Sequence, residues 1–146
     1  MKVPVSTVIM CIVTFVVCLL GPTVLMLLWH KRTKANIGSF FKGALSFILF
    51  GIVIKSVCQM AVVWIAGSFI TGNLFVLAVF GGLCAGFFEE FGRYLALTKW
   101  MKDSLDKENT VMYGIGHGGV EAMIVICSAY ISNLLLIFTI NSGQLI

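Results

Sequence analysis

Residues 86–94 read Gly-Phe-Phe-Glu-Glu-Phe-Gly-Arg-Tyr and place two carboxylates and a guanidinium inside an otherwise apolar run. A charged side chain near the centre of a bilayer costs about 2.5–3.5 kcal/mol on insertion scales. Because Glu89, Glu90 and Arg93 fall within five positions, a membrane helix that carries them has to turn them toward protein or water. The stretch therefore predicts a membrane helix that faces a polar interior site.

The composition of the whole chain agrees with a membrane location. Of its 146 residues 60% are hydrophobic and 11% are charged, whereas soluble domains are about half apolar and about a quarter charged. Apolar runs of about 18 residues or more can each cross the hydrocarbon core as a helix. We predict an all-α, polytopic membrane protein, a single domain over residues 1–146, with about four transmembrane helices near residues 3–29, 40–69, 74–100 and 110–140.

The basic residues concentrate in two short loops, residues 30–34 and residues 99–109. Positive loops of this kind mark the cytoplasmic side of a membrane protein and do not indicate nucleic-acid binding. We therefore predict a multi-pass protein of the cell membrane with both termini on the non-cytoplasmic side. Its partner is the lipid bilayer, and no nucleic-acid partner is expected.

Small residues precede the charged stretch of the third segment. Gly81, Gly82 and Gly86 share a spacing that lets a neighbouring helix approach closely. Glu89 and Arg93 are four residues apart, and Glu90 and Arg93 are three apart, so the arginine can face either carboxylate. It would hold one glutamate ionised and leave the other suited to general-base work.

Residues 116–121 of the fourth segment, Gly-His-Gly-Gly-Val-Glu, form a second polar stretch. His117 and Glu121 are four apart and share a helical face. An imidazole and a carboxylate on one face make a plausible half of a divalent metal site. The glycines weaken the helix and allow a break here.

A buried cation is the remaining polar feature. Lys55 lies deep in the second segment. Two interpretations are open: it snorkels or pairs within the bundle, or it balances one of the buried glutamates.

These polar residues are expected to form one site, with one of the two adjacent glutamates close to His117. A wet intramembrane cavity lined in this way suits water activation and amide hydrolysis. It also suits proton or cation transport, and a neutralised cluster that only fixes helix packing is the third possibility. The residues alone leave the three open. The set is Glu89, Glu90, Arg93, His117 and Glu121.

The two motifs resemble those of a known family. Glu89-Glu90-x-x-Arg93-Tyr94, followed one helix later by Gly116-His117-Gly118-Gly119-x-Glu121, is similar to the YhfC family of intramembrane metalloproteases. That family is related to the wider CPBP group of type II CAAX prenyl proteases and bacteriocin-immunity membrane proteins. The resemblance covers nearly all of the chain.

The resemblance implies an intramembrane, metal-dependent endopeptidase that hydrolyses a membrane-proximal peptide bond by glutamate- and histidine-activated water. Its substrate would be a membrane-embedded or lipidated peptide. Glu89 would be the general base with Glu90 beside it, Arg93 would orient the pair, and His117 would hold the water or metal. The implied metal is zinc, with His117, Glu121 and Glu89 as ligands. The alternative is a non-proteolytic protein, a transporter or an immunity-type protein, that uses the same cluster.

The sequence departs from the pattern of the wider group in two ways. Its arginine comes one residue early, as EExxR where the group has EExxxR. The group also supplies another histidine from a later helix, whereas this chain has only His30 and His117. We therefore expect the chain to be the N-terminal part of a longer family domain, C-terminally truncated or degenerate, that lacks part of the active site.

Overall fold

Four long helices make up the computed structural model, which describes residues 2–143. They are α1 (Val5–Thr33), α2 (Ile37–Thr71), α3 (Leu74–Trp100) and α4 (Lys107–Asn141), each long and apolar enough to cross a membrane. A short 3₁₀ turn, Lys102–Ser104, lies between α3 and α4. The described residues contain no strand, so the predicted all-α membrane architecture is confirmed.

Toward the basic loops, α1, α2 and α4 extend slightly further than the predicted segments, because these ends are capped by residues of the predicted loops. Lys34 takes the left-handed conformation (φ 61°) and its amide donates to the carbonyl of His30, which ends α1. Asn36 accepts from the amide of Gly38 at 2.8 Å and starts α2. Asp106 accepts from the amide of Asn109 at 2.7 Å and starts α4.

Three of the helices contain π-helical turns: Phe47–Ile54 in α2, Ala96–Trp100 at the end of α3 and Ala122–Ile126 in α4. Turns of this kind are often found at functional sites. The helix break that the glycines of α4 allow does not occur, because Lys107–Glu121 is continuous α-helix. Packing of Gly116 and Gly119 against other helices offsets the low helix propensity of glycine, and the irregular turn follows Glu121 instead.

Glycines bring α2 and α4 into backbone contact. A Cβ at Gly43 would overlap the carbonyl oxygen of Tyr113, and a Cβ at Gly116 would overlap that of Phe40. Gly119 packs on α1 in the same way, because a Cβ there would lie 2.6 Å from the Cβ of Pro22. Close approach at small residues is how membrane helices associate in the absence of a hydrophobic driving force between them.

Within residues 2–143 no helix packs on the glycines of α3 before Glu89, although their spacing would let one approach. A Cβ at any of the three would meet nothing within 4 Å; they are Gly81, Gly82 and Gly86. The glycine of α3 that does make a close contact is Gly92, which packs on the Phe50 side chain of α2. Spacing identifies a smooth face of a helix, but the position of the partner helix decides whether that face is used.

The outer faces of the helices are apolar and exposed, as Val16, Trp64, Phe75 and Leu135 illustrate. A bilayer solvates such a surface, whereas the same area in water would be an aggregation liability. Two small clusters of buried residues lie near the loops that carry the basic residues. Their buried members are Ala35, Phe40 and Met112 in one cluster and Ala96, Met101 and Tyr113 in the other.

The two ends of the chain meet at one end of the bundle. The amide of Val3 donates to Asn141 Oδ1 at 2.8 Å. The basic loops meet at the opposite end, where the amide of Asn36 donates to Asn109 Oδ1 at 2.7 Å. The pairing of ends agrees with four alternating spans, and the side of the membrane on which each end lies stays a prediction.

Cysteine labelling in intact cells tests that sidedness. We expect a membrane-impermeant maleimide to label Leu74→Cys in intact cells and Lys102→Cys only after permeabilisation, because basic loops are retained on the cytoplasmic side. The wild-type chain is the control for labelling of its own thiols. Labelling of Lys102→Cys in intact cells, and of Leu74→Cys only after permeabilisation, would contradict the predicted orientation and support the opposite one.

Candidate functional site

The polar residues of α3 fall on two neighbouring faces. Glu89 points toward α2, where its Oε1 lies 3.9 Å from Lys55 Nζ. Glu90 lies about 100° further round the helix and is paired with Arg93 one turn later on α3. The adjacent glutamates therefore have separate partners, one on α2 and one on α3 itself.

The ion pair between Lys55 and Glu89 ties α2 to α3 inside the membrane. Their side chains are 22% and 23% exposed, so the protein shields both charges from lipid. This confirms the interpretation in which Lys55 balances a glutamate. Lys55 is the first residue after the π-helical turn of α2, and that turn sets the direction in which the lysine leaves the helix.

A groove of about 380 Å³, which we call the polar groove, lies between α3 and α4. It brings together three of the predicted site residues, Arg93, His117 and Glu121. Glu90 adjoins it through its pair with Arg93, whereas Glu89 is not among its lining residues. The complete lining is Arg93, Leu97, Thr110, Tyr113, Gly114, His117, Gly118 and Glu121.

His117 is a buried side chain of this groove, at 5% exposure. Among the residues that the structure describes, neither of its ring nitrogens has a hydrogen-bond partner. Its ring packs edge-on against Phe47 of α2, with centroids 5.4 Å apart, and beside Tyr113 at 5.9 Å. Buried polar groups are nearly always satisfied, so an unpartnered imidazole that lines a groove indicates a place for water or a ligand.

Glu90 and His117 lie at similar depths along their helices. Glu90 precedes the end of α3 at Trp100 by ten positions, and His117 follows the start of α4 at Lys107 by ten. At a rise of about 1.5 Å per residue, each lies about 15 Å from the basic-loop end of its helix. This is about half the thickness of a hydrocarbon core, so the motifs of α3 and α4 share one depth.

Sequence reasoning missed two residues that support the groove. The Tyr113 hydroxyl donates to Ser46 Oγ at 3.0 Å, a buried bond between α4 and α2. Tyr113 lies four positions before His117 and therefore shares its helical face, which is a signal that the sequence contains. Ser46 carries no such signal, because only the crossing of α2 with α4 brings it near.

Residues 15–146 match the sequence model of a family described as YhfC intramembrane metalloprotease. The chain belongs to the YhfC family. A relative from Bacillus subtilis (strain 168), an uncharacterized membrane protein YhfC, is 33% identical over 121 residues, which are 81% of this chain and 47% of the relative.

This YhfC-family chain thus spans about half the length of the curated relative that it matches. No solved structure matches it at a significant level. The resemblance to the YhfC family is confirmed, and the relation to the wider CAAX prenyl protease group stays a prediction.

The YhfC family description implies a metal, and the donors of the polar groove fit one only in part. His117 offers an unpartnered imidazole, and Glu121 lines the same groove. A catalytic zinc takes three protein ligands, but within residues 2–143 no three His, Cys, Asp or Glu side chains converge. Glu89, the third predicted ligand, pairs with Lys55 instead. The described residues therefore do not complete a metal site, and zinc stays a prediction.

Proposed function

We propose that this chain provides the water-activating groove of an intramembrane endopeptidase. The observation that carries the proposal is the buried His117, which has no hydrogen-bond partner within residues 2–143 and lines one groove with Glu121 and Arg93. The family description, an intramembrane metalloprotease, supports the same reaction class. The substrate that we propose is a peptide embedded in the membrane, since His117 lies about 15 Å from the basic-loop end of its helix.

His117 and Glu121 hold the attacking water. Among the described residues the two ion pairs are Lys55–Glu89 and Arg93–Glu90, so Glu121 is the glutamate of the groove with a carboxylate available as a base. It takes a proton from the water as the oxygen attacks the carbonyl carbon. It then delivers that proton to the departing amide nitrogen, which leaves a new carboxyl end and a new amino end.

Arg93 stabilises the charge that develops on the carbonyl oxygen. Arg93 lines the groove, and its guanidinium is paired with Glu90. A fixed cation in a water-poor site stabilises an oxyanion more than water does. This assignment moves the base from Glu89, which the family resemblance implies, to Glu121, and it gives Glu89 the role of holding α3 against α2 through Lys55.

Peptide cleavage in liposomes tests the assignment. The reconstituted chain is incubated with apolar, membrane-spanning peptides, and new amino ends are identified by mass spectrometry. Because the proton transfer is lost, Glu121→Gln should slow cleavage by about 10²–10⁴-fold. Removal of the oxyanion partner in Arg93→Gln should slow it by about 10²–10³-fold.

Glu108→Gln is the matched control, since Glu108 lies on the same helix, at the basic-loop end and outside the polar groove. We expect it to cleave at the wild-type rate. Failure of the wild-type chain to cleave any of the peptides would contradict the proposed function. Cleavage that survives Glu121→Gln but not Glu89→Gln would return the base to Glu89. Proton flux through the liposomes that Glu89→Gln abolishes would favour the transport alternative.

A further inference from the structure

A second groove lies on the other side of α4 and meets the polar groove. This apolar groove, of about 380 Å³, runs between α1 and α4. Gly114 and Gly118 line both grooves. Both glycines are exposed, and a Cβ at either would meet nothing within 4 Å. The surface of α4 is therefore low at Gly114 and Gly118, between the two grooves, and we call this part of the surface the glycine saddle. The apolar groove is lined by Val17, Cys18, Gly21, Pro22, Leu25, Gly114, Ile115, Gly118, Gly119 and Ala122.

We infer that a membrane-spanning peptide segment lies across α4 at Gly114 and Gly118, with its apolar side chains in the apolar groove and one of its peptide bonds in the polar groove. The inference rests on the proposed function for the fate of that peptide bond. The docking itself follows from the shape of the surface. It assigns a binding role to the α1–α4 face, which contains none of the predicted site residues.

The unpartnered His117 is the first observation that points to a ligand with polar atoms. Its side chain is 95% buried, and it lines the polar groove without a partner among the described residues. The glycine saddle lets another backbone approach α4 closely. A peptide that crosses the saddle carries carbonyl and amide groups into the polar groove, whose lining includes His117, Arg93 and Glu121.

The carbonyl of Cys18 is the second observation. Proline has no amide hydrogen, so Pro22 cannot make the helical bond to the carbonyl four residues earlier, which is that of Cys18. Both residues line the apolar groove. In hydrocarbon a carbonyl that lacks this helical bond is unfavourable, and a peptide amide can pair with it.

These polar groups favour a peptide over a lipid. An acyl chain fills apolar space but offers no donor to the Cys18 carbonyl and no polar atom to His117. A peptide with apolar side chains and a partly unwound backbone offers both. The saddle also limits the substrate, because a bulky side chain at Gly114 or Gly118 would separate the two grooves.

Cys18 reports occupancy of the apolar groove without any need for catalysis. The reconstituted chain is treated with N-phenylmaleimide, with and without a peptide of about 20 apolar residues flanked by lysines, and modified cysteines are mapped by mass spectrometry. We expect the peptide to prevent modification of Cys18. Cys11, Cys58 and Cys84, which lie outside this groove and are partly exposed, should react as before.

A pair of glycine variants locates the crossing. Gly118→Leu should abolish protection of Cys18 by the peptide, since the new side chain fills the saddle. Gly86→Leu is the matched control, because Gly86 has equally open surroundings but lies on α3 outside both grooves. It should leave protection unchanged, and circular dichroism should show both variants folded.

Three results would overturn the inference. They are modification of Cys18 unaffected by the peptide, protection that persists in Gly118→Leu, and protection by lauric acid but not by the peptide. Protection by the peptide in a chain that never cleaves it would sustain the docking and contradict the proposed endopeptidase. Cleavage of the peptide without protection of Cys18 would sustain the proposed endopeptidase and contradict the docking.

Discussion

Gly116→Ala should disrupt the packing of α2 against α4, whereas Gly114→Ala on the same helix should stabilise the protein. Alanine is the better helix former by about 1 kcal/mol, so an unhindered exchange is favourable. At Gly114 a Cβ meets nothing within 4 Å, but at Gly116 it would overlap the carbonyl oxygen of Phe40. Backbone atoms of a neighbouring helix cannot yield as a flexible side chain does, so α2 and α4 have to separate.

Thermal unfolding in detergent measures both effects. We expect the unfolding temperature to fall for Gly116→Ala and to rise slightly for Gly114→Ala. Gly43→Ala, which would overlap the carbonyl oxygen of Tyr113 in the same interface, should resemble Gly116→Ala. In the double variant Gly43→Ala/Gly116→Ala the loss of stability should be smaller than the sum of the two single losses, because either change alone separates the helices. Equal stability of Gly114→Ala and Gly116→Ala would show that the backbones do not touch.

The hydrophobicity of the sequence was sufficient to predict the membrane spans, but it did not predict which helices contact one another or through which residues. The four segments follow from apolar length, and the capping residues that shift their ends, such as Asn36 and Asp106, lie in the loops as expected of caps. Which glycines receive a neighbour does not follow from spacing. Gly86 is open and Gly92 is packed on Phe50, since only one side of α3 faces α2.

In the candidate site, too, the contacts within one helix could be predicted from the sequence, whereas the contacts between helices could not. Pairing of Arg93 with a glutamate and the shared face of His117 and Glu121 follow from helical periodicity within one segment. Contacts between segments depend on the tilt and register of helices. The π-helical turn Phe47–Ile54 rotates everything after it relative to a regular helix. The partner of Lys55 was therefore a choice between alternatives until the structure placed it beside Glu89.

Lys55→Met should be the most destabilising change to a charged side chain of the interior. It leaves the carboxylate of Glu89 without its cation in a position shielded from water. A lone charge near the centre of a bilayer costs about 2.5–3.5 kcal/mol on insertion scales, and we expect a loss of stability of this order. Urea or detergent-mixture unfolding of the reconstituted chain measures it. Lys99→Met, at an exposed lysine near the end of α3, is the control and should change little.

A double-mutant cycle separates the ion pair from any catalytic role of Glu89. Replacing both charges in Lys55→Met/Glu89→Gln removes the lone carboxylate, so stability should return toward that of the wild type. If Glu89 only holds α3 against α2, the double variant should also cleave peptides at nearly the wild-type rate. A stable double variant that no longer cleaves would make Glu89 the base after all. A coupling energy near zero would mean that lipid or water, and not Lys55, compensates the carboxylate.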